Sequence, residues 1–312
     1  MRGENGRSKQ SKGGVGAWFH GVFIADVEAL SLRVFECLFT VTFLIWMGRC
    51  FLTWEEWLTE AGFHLTKEEL ASMGYPEPWP LLEPWQVGVF GGLILLGGGL
   101  LLWPMGMGFG QAGKLAQPLR RAGLVLLFGT ALYAQRVDYM AAFTLNKLYV
   151  GIYAVLMVAP GIWRDRESGR LMVSAAPLRV LQATLILQYF AAGLAKASAD
   201  WLKGGDILWG QVQGVFRTDI AAWALRNLPM WTWSGQQHVS LAFELLAPVL
   251  FCVRRLRPIA FVVGIGFHLI IAVMMKDLII FSLQMWTFYA LFVPAETWRR
   301  LWDIMSGSLR RR

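Results

Sequence analysis

The sequence predicts an all-α polytopic membrane protein with about eight transmembrane helices and a Trp-rich interfacial loop segment. Of its 312 residues, 56% are hydrophobic and only 16% are charged. The mean hydropathy is +0.46, and the charged residues gather between long apolar segments. Soluble domains carry about 25% charged residues, so the deficit indicates that most of the chain faces lipid or other helices.

The first 25 residues are predicted to lie outside the helical bundle. Residues 1–16 are polar and basic. The short apolar run 17–25 is followed by Asp26 and Glu28 and by no small-residue cleavage site, so it is not a cleavable signal. We interpret residues 1–25 as a basic cytoplasmic N-terminus with an interfacial helix, 26–295 as the transmembrane domain and 296–312 as a basic cytoplasmic tail.

Eight apolar segments are long enough, or nearly long enough, to cross a bilayer core of about 30 Å. They are residues 30–52, 86–104, 122–143, 147–163, 177–197, 237–253, 257–275 and 278–293. Segments 147–163 and 278–293 are short for a full crossing, and both a tilted and a re-entrant arrangement fit them.

The loops between these segments alternate in charge. Residues 53–85 carry seven Glu and one Lys, whereas residues 105–121 hold three basic residues and no acid. By the positive-inside rule both termini are cytoplasmic, and residues 53–85 and 198–236 lie outside. We therefore expect an integral membrane protein of a bacterial inner membrane.

Residues 198–236 contain five tryptophans among glycines and a few charges. One interpretation is an aromatic belt with its indoles at headgroup depth. The other is a lid over an amphiphilic substrate that enters from the lipid. The sequence leaves both open.

Polar residues inside the predicted spans are the candidates for function, because charged groups are expensive to bury in lipid. Most of them fall in the outer half, and the set is Arg136, Asp138, Asn146, Lys147, Lys196, Glu244 and His268. Snorkelling is an alternative for Lys147, an internal ion pair for Arg136 with Asp138, and a packing role for His268.

We expect Lys147, Lys196, Glu244 and His268 to converge on one cavity in the outer half of the bundle, since each alone would be costly to bury. At the opposite end, Arg33 and Glu36 are three residues apart on the first span and are expected to pair locally.

Two classes of partner are not expected. The net charge of +8 lies in short patches between spans, which is not how a nucleic-acid-binding face is built. The three cysteines, Cys37, Cys50 and Cys252, match no metal-binding spacing and no disulfide framework, and we expect them to be buried without a chemical role. We therefore expect neither a metal nor a nucleic acid.

Residues 189–204 carry a resemblance to a known family. They read Tyr-Phe-Ala-Ala-Gly-Leu-Ala-Lys-Ala-Ser-Ala-Asp-Trp-Leu-Lys-Gly. This resembles the central motif of the vitamin K-dependent gamma-glutamyl carboxylase-like membrane domain, the horizontally transferred transmembrane domain (HTTM) family. Weaker matches flank the motif at Asn146-Lys147, Phe243-Glu244, Arg257-Pro258 and Phe267-His268. The similarity covers about residues 25–295.

The resemblance implies a quinol-dependent γ-carboxylase or epoxidase-like lyase with Lys196 as its catalytic base. It implies that reduced vitamin K or another quinol binds at an outer-side site, with O₂ and CO₂ as co-substrates for glutamate carboxylation. The residues expected to support this site are Asn146, Lys147, Glu244, His268, Arg136, Asp138, Tyr189, Asp200, Trp201 and Gly204.

Two departures from the family pattern keep a second function open. Ala195 stands where the family has a first lysine, and Lys147 stands where it has histidine. Both favour a non-catalytic membrane subunit or scaffold that keeps the fold in order to bind lipid, a peptide or a partner membrane protein. A co-purifying quinone would favour the enzyme, and a stoichiometric partner protein would favour the scaffold.

Overall fold

The computed structural model of the chain describes residue 16 and residues 20–106, 115–137 and 143–310, which are mostly helical. The α-helices are α1 (Leu30–Cys50), α2 (Trp54–Leu58), α3 (Lys67–Ser72), α4 (Pro84–Gly106), α5 (Ala116–Val137), α6 (Phe143–Val158), α7 (Ala175–Ala197), α8 (Ile207–Val212), α9 (Asp219–Asn227), α10 (Met230–Cys252), α11 (Arg257–Met274), α12 (Ile279–Thr287) and α13 (Ala295–Arg310). Single helical turns lie at His20–Ile24, Phe51–Thr53, Asp200–Leu202 and Phe288–Phe292.

Each of the eight predicted spans overlaps a helix, but segment 147–163 runs past the end of α6 into a strand at Trp163–Arg164. Fewer than eight of the helices have the length and composition of a full crossing. Within the described residues, four helical stretches are long and apolar enough: Leu30–Leu58, Pro84–Trp103, Ala175–Ala197 and Arg257–Met274. A fifth is added if Ile279–Phe292 and Ala295–Ile304, which meet at a bend of 106°, are taken as one span.

The other predicted spans fall short for visible reasons. Helix α5 begins six residues before the predicted 122–143 segment and takes in Arg120 and Arg121. Helix α10 begins seven residues before 237 and takes in polar residues such as Gln236. The apolar part of α6, Asn146–Val158, has fewer than 18 residues.

Aromatic packing of α1 forms the centre of the bundle. Phe35, Phe39 and Phe43 recur every four residues and therefore share one face of the helix. The Phe39 ring lies 4.9 Å from the Tyr149 ring of α6 and 5.9 Å from the Phe288 ring after α12. Because all of these rings are buried, α1 joins both halves of the chain.

A small antiparallel sheet at one end of the bundle makes the all-α prediction wrong there. Strand β1 (Asp26–Glu28) pairs with β3 (Leu171–Ser174), which pairs with β2 (Trp163–Arg164). The β2–β3 hairpin turns at Gly169, whose φ of 65° suits a residue without a Cβ. Strands of two to four residues are too short to leave a readable alternation in the sequence.

Arginines from two other segments of the chain lie beside the first strand of the sheet. The Glu28 carboxylate lies 3.3 Å from Arg299 of α13 and 3.9 Å from Arg170 of the hairpin. Trp298 anchors α13 by donating from Nε1 to the Ala290 carbonyl at 3.3 Å. The predicted tail is thus largely helical and packs against the bundle.

The predicted outer segments meet at the opposite end. Arg49, at the far end of α1, pairs with Asp277 at 2.5 Å in the turn between α11 and α12. The amide of Trp79 donates to the Arg136 carbonyl at 2.9 Å, and the amide of Lys276 donates to the Phe216 carbonyl at 2.5 Å. Residues 53–85 and 198–236 therefore share one end, as the alternation of loop charge predicts.

The Trp-rich segment is not one extended loop. It contains a helical turn, α8, α9 and the first turns of α10. Trp201 and Trp233 are buried, whereas Trp223 and Trp231 are exposed. The indoles of this segment therefore divide between the interior and the surface of the protein.

Candidate functional site

The close approach of α7 to α10 places the site. A Cβ added to Gly193 would lie 2.9 Å from the Leu245 amide nitrogen and 3.0 Å from the Glu244 Cβ. These distances are too short for any larger residue, so glycine lets the two backbones touch. Lys196 follows one turn later, beside Glu244.

An ion pair joins the two helices at this contact. Lys196 Nζ lies 2.5 Å from Glu244 Oε1, with the lysine side chain 24% exposed and the glutamate side chain 4% exposed. The ammonium also lies over two rings, 4.8 Å from the centroid of Trp201 and 5.6 Å from that of Phe267. Both contacts favour the charged lysine.

Only one of the two carboxylate oxygens of Glu244 has a hydrogen-bond partner among the described residues. Its Oε2 is buried and has no hydrogen-bond partner among the described residues. Pro248 follows inside α10 and has no N–H to donate to the Glu244 carbonyl, so the helix is weakened at this point. A buried carboxylate oxygen with free acceptor capacity can receive a hydrogen bond or a proton.

A cavity of about 760 Å³ lies on one side of the pair. Lys147, Lys196, Glu244 and His268 all line it, although they come from four different helices. Its other walls are mainly apolar and include the side chains of Phe267, Phe281 and Met285. The cavity therefore joins ionisable groups to mainly apolar walls.

A second, more apolar groove of about 620 Å³ lies between α10 and α11 and is covered in part by the start of the Trp-rich segment. Trp201, Val239, Val262 and Ile270 are among its walls. Lys196 and Phe267 line both spaces. Lys196 thus lies between a cavity that has several polar groups in its wall and a groove whose wall is mostly apolar.

Two buried residues of the cavity wall, Tyr189 and His268, form a hydrogen-bonded chain with the buried Tyr289. The Tyr189 hydroxyl lies 2.8 Å from His268 Nε2 and 2.9 Å from the Tyr289 hydroxyl. Gly264 makes room for Tyr289, since a Cβ there would lie 2.0 Å from its hydroxyl. His268 Nδ1 has no partner within the described part of the chain, so the imidazole keeps one nitrogen for a ligand.

Gln237 fixes the segment that carries Trp201. Its side chain is fully buried, and its Nε2 donates to the carbonyls of Trp201 at 2.8 Å and Gly204 at 2.7 Å. Its Oε1 accepts from the Leu208 amide at 3.2 Å. One amide therefore holds both ends of the turn that places Trp201 against Lys196.

Several predicted site residues lie elsewhere. Arg136 donates to the Glu77 carbonyl at 3.1 Å and lies 5.7 Å from the Trp79 ring, where it holds the outer loop. Asn146 is buried and donates weakly to the Ala131 carbonyl at 3.4 Å. Asp200 is exposed and pairs with Lys203 at 3.0 Å. Asp138 lies outside the described residues.

A second buried ion cluster lies near the sheet end of α1. Glu36 accepts hydrogen bonds from Arg33 and from Arg120 of α5, at 3.1 Å from Arg120 Nε to each carboxylate oxygen. Arg33 thus pairs with Glu36 as predicted, but Arg120 is a partner that the sequence did not indicate. None of the three side chains lines either space beside Lys196.

The cysteines and the acidic groups add no further centre. Cys37, Cys50 and Cys252 are free thiols, and Cys252 is exposed rather than buried, contrary to expectation. Within residues 20–106, 115–137 and 143–310, no group of three His, Cys, Asp or Glu side chains is placed to hold a metal ion.

Sequence reasoning missed Gln237 and Tyr289. Gln237 left a usable signal, because a buried amide at the start of an apolar segment is as unusual as a buried charge. Tyr289 left none, since aromatic residues are ordinary in any membrane helix.

Comparison with known families identifies the membrane domain. The model of the family described as HTTM domain matches residues 135–298, just over half of the chain. The match includes Lys196, Glu244 and His268. No curated protein and no solved structure gives a significant match.

Proposed function

The chain belongs to the HTTM domain family, a membrane domain related to vitamin K-dependent carboxylase, and we propose that it binds a quinol beside Lys196 and carboxylates glutamate. Reduced vitamin K or another prenylated hydroquinone is the proposed ligand, with O₂ and CO₂ as co-substrates. The observation that carries the proposal is the contact of 2.5 Å between Lys196 and Glu244 at the boundary of two ligand-sized spaces.

The side chains present fit such a ligand. The cavity offers a planar head group the apolar walls of Phe267 and Phe281. Glu244 and His268, each with one unsatisfied polar atom, are also among its lining residues. The groove beyond Lys196 offers a prenyl chain an apolar channel. Ligand sites of this size usually combine apolar walls with a few placed polar groups.

Lys196 and Glu244 act together in this proposal. In the ion pair Lys196 is an ammonium and cannot accept a proton. Transfer of its proton to Glu244 across their contact would leave a neutral amine beside the cavity, able to act as general base toward a hydroxyl group. The rings of Trp201 and Phe267 flank the lysine at this exchange.

The other residues bind and orient. Tyr189 holds His268 Nε2, and His268 Nδ1 has no hydrogen-bond partner among the described residues. Lys147 lines the same cavity and adds a positive charge that suits an anionic substrate group. When bound, the hydroquinone would supply the reducing power for epoxidation and the strong base that carboxylation requires.

Substitution of Lys196 tests the base role. Lys196→Ala is expected to reduce quinol-dependent activity at least about 100-fold. Lys196→Arg should fail nearly as badly, because a guanidinium keeps its proton and cannot serve as a base. The assay is O₂-dependent conversion of a reduced naphthoquinone to its epoxide, with and without a glutamyl peptide.

Lys203→Ala is the matched control, since Lys203 is an exposed lysine on the same segment, and it should keep full activity. Epoxidation at the wild-type rate in Lys196→Arg would remove the base role from Lys196.

The same ion pair also favours a second function. A lysine that contacts a carboxylate and two rings is well satisfied as a structural tie between α7 and α10. This supports a non-catalytic subunit or scaffold that binds lipid, a peptide or a partner membrane protein. A stoichiometric partner in the purified protein, with no quinone and no epoxidation by the wild type, would establish this alternative.

For the membrane arrangement we propose eight spans in a bacterial inner membrane, with both termini cytoplasmic. Residues 53–85 and 198–236 would then lie outside. In a background without cysteines, Glu69→Cys should react with an impermeant thiol reagent in intact cells, whereas Ser168→Cys should not. Labelling of Ser168→Cys from outside would contradict the assignment.

A further inference from the structure

We propose that the sheet end of the bundle holds a phosphate group of an anionic phospholipid between Arg179, Arg254 and Arg257. These residues come from the first turns of α7 and α11 and from the turn before α11. The site lies away from the cavity beside Lys196 and does not depend on the function proposed for that cavity.

Two of the guanidinium groups flank one turn of the chain. Arg257 donates from Nε to the Phe251 carbonyl at 2.9 Å and from Nη1 to the Phe292 carbonyl at 3.4 Å. Arg179 donates to Gln182 Oε1 at 2.8 Å, and Gln182 donates to the Leu291 carbonyl at 2.7 Å. Since residues 291 and 292 are adjacent, both arginines are held near the same point.

The charges of this cluster are not neutralised by the protein. Arg254 precedes Arg257 by three residues, in the turn that leads into α11. None of the three forms an ion pair with any carboxylate of the described residues. Elsewhere at this end Arg33, Arg120 and Arg299 each have a glutamate partner.

The start of α11 adds to the attraction for an anion. Arg257 is the first residue of this 18-residue helix. The amino-terminal end of a helix carries a partial positive charge and favours phosphate groups. Three guanidinium groups at such an end provide the planar donors that bind phosphate oxygens in pairs.

The surroundings favour a phospholipid over free phosphate. Val180, Val253 and Ile259 lie one or two residues from the arginines, and their side chains are 43%, 44% and 51% exposed. Exposed aliphatic side chains at the same end of the helices as the arginines match the boundary between headgroups and acyl chains. The phosphate would rest on the arginines and the acyl chains on these side chains.

Lipid titration of the full-length chain tests the site. Native mass spectrometry in detergent would measure the Kd for phosphatidylglycerol, with phosphatidylcholine and inorganic phosphate as separate arms. Arg179→Gln and Arg254→Gln should each weaken phosphatidylglycerol binding about tenfold or more, because each removes a charged donor. Arg254 is exposed, so its substitution should not disturb folding.

Arg166→Gln is the matched control. Arg166 is an exposed arginine in the hairpin at the same end of the bundle, and its loss should change the Kd less than about twofold. If Arg166→Gln weakens binding equally, the lipid is attracted by the overall positive charge of this end and not by a specific site, and the proposal is wrong. Inorganic phosphate that binds as tightly as phosphatidylglycerol, or equal binding of phosphatidylcholine, would also overturn the proposal.

Discussion

The two buried ion clusters of this protein differ in how completely their charges are satisfied. Glu36 is fully buried, and both of its oxygens accept from guanidinium groups. Glu244 is almost as deeply buried, yet among the described residues only one of its oxygens has a partner. Glu244 lines a cavity of about 760 Å³, whereas Glu36 lines neither of the two spaces beside Lys196.

This difference separates a structural cluster from a candidate site. Groups that only stabilise a fold are best satisfied completely, because every unpaired buried polar atom lowers stability. A group that must bind a ligand or move a proton needs free capacity and access. The unpaired oxygen of Glu244 and the 24% exposure of Lys196 provide both.

The largest expected effect is the loss of stability in Glu36→Gln. Removing the carboxylate leaves Arg33 and Arg120 as two buried charges without a counter-charge. Breaking a buried ion pair on one side lowers the free energy of unfolding by about 3–5 kcal/mol. Thermal unfolding in detergent, followed with a dye that reacts with the newly exposed free cysteines, measures it.

Glu77→Gln is the control for this change, because Glu77 pairs with Lys67 at the exposed end of the molecule. Its unfolding midpoint should not move. If Glu36→Gln unfolds at the wild-type temperature, the Glu36 cluster is not a structural centre and the comparison between the two clusters fails.

The two clusters also differ in what could be read from the sequence. Arg33 and Glu36 are three residues apart on one helix, a spacing that predicts contact by itself. Lys147, Lys196, Glu244 and His268 lie on four helices, and only the expense of burying each one suggested that they meet. The long apolar segments could also be recognised in the sequence, and each of them overlaps a helix.

The rest of the structure depends on contacts that no local pattern records. Arg120 joins Glu36 across 84 residues, and Gln237 finds two carbonyl groups more than 30 residues away. The strands of the small sheet are held by pairing between residues 26–28 and 172–174. Secondary-structure propensity and hydrophobic periodicity describe one segment at a time. Contacts between distant segments can therefore be identified only from the folded structure.

An intermediate effect is expected for Gly193→Ala, which tests whether helix contact sets the geometry of the Lys196–Glu244 pair. The added Cβ would meet the backbone of α10 at 2.9 Å, so α7 and α10 must move apart. Overpacking of this kind lowers the free energy of unfolding by about 1–3 kcal/mol. The same thermal assay measures the change, and quinone retention should fall with it.

Gly151→Ala is the matched control, since a Cβ at this helical glycine would meet nothing within 4 Å. Alanine there should leave stability unchanged or raise it slightly, because it favours the helix. Equal destabilisation by both variants would mean that the close approach at Gly193 is not special.

The smallest effect on stability is expected for Glu244→Gln, although this substitution should strongly reduce activity. Glutamine keeps the side-chain shape, and its carbonyl oxygen can still accept from Lys196. The lysine is partly exposed and lies over Trp201 and Phe267, so it tolerates the loss of its counter-charge better than Arg33 and Arg120 do. We expect the free energy of unfolding to fall by no more than about 1 kcal/mol.

Epoxidation activity, unlike stability, should fall strongly in Glu244→Gln. Glutamine cannot take the proton of Lys196, so the neutral amine would not form and epoxidation should fall at least about 100-fold. Measured together, stability and activity place Glu244 in one of the two classes. A loss of about 3–5 kcal/mol would place it with Glu36 as a structural charge. Full activity with unchanged stability would show that Lys196 works without its carboxylate, because the amine then loses its proton by another route.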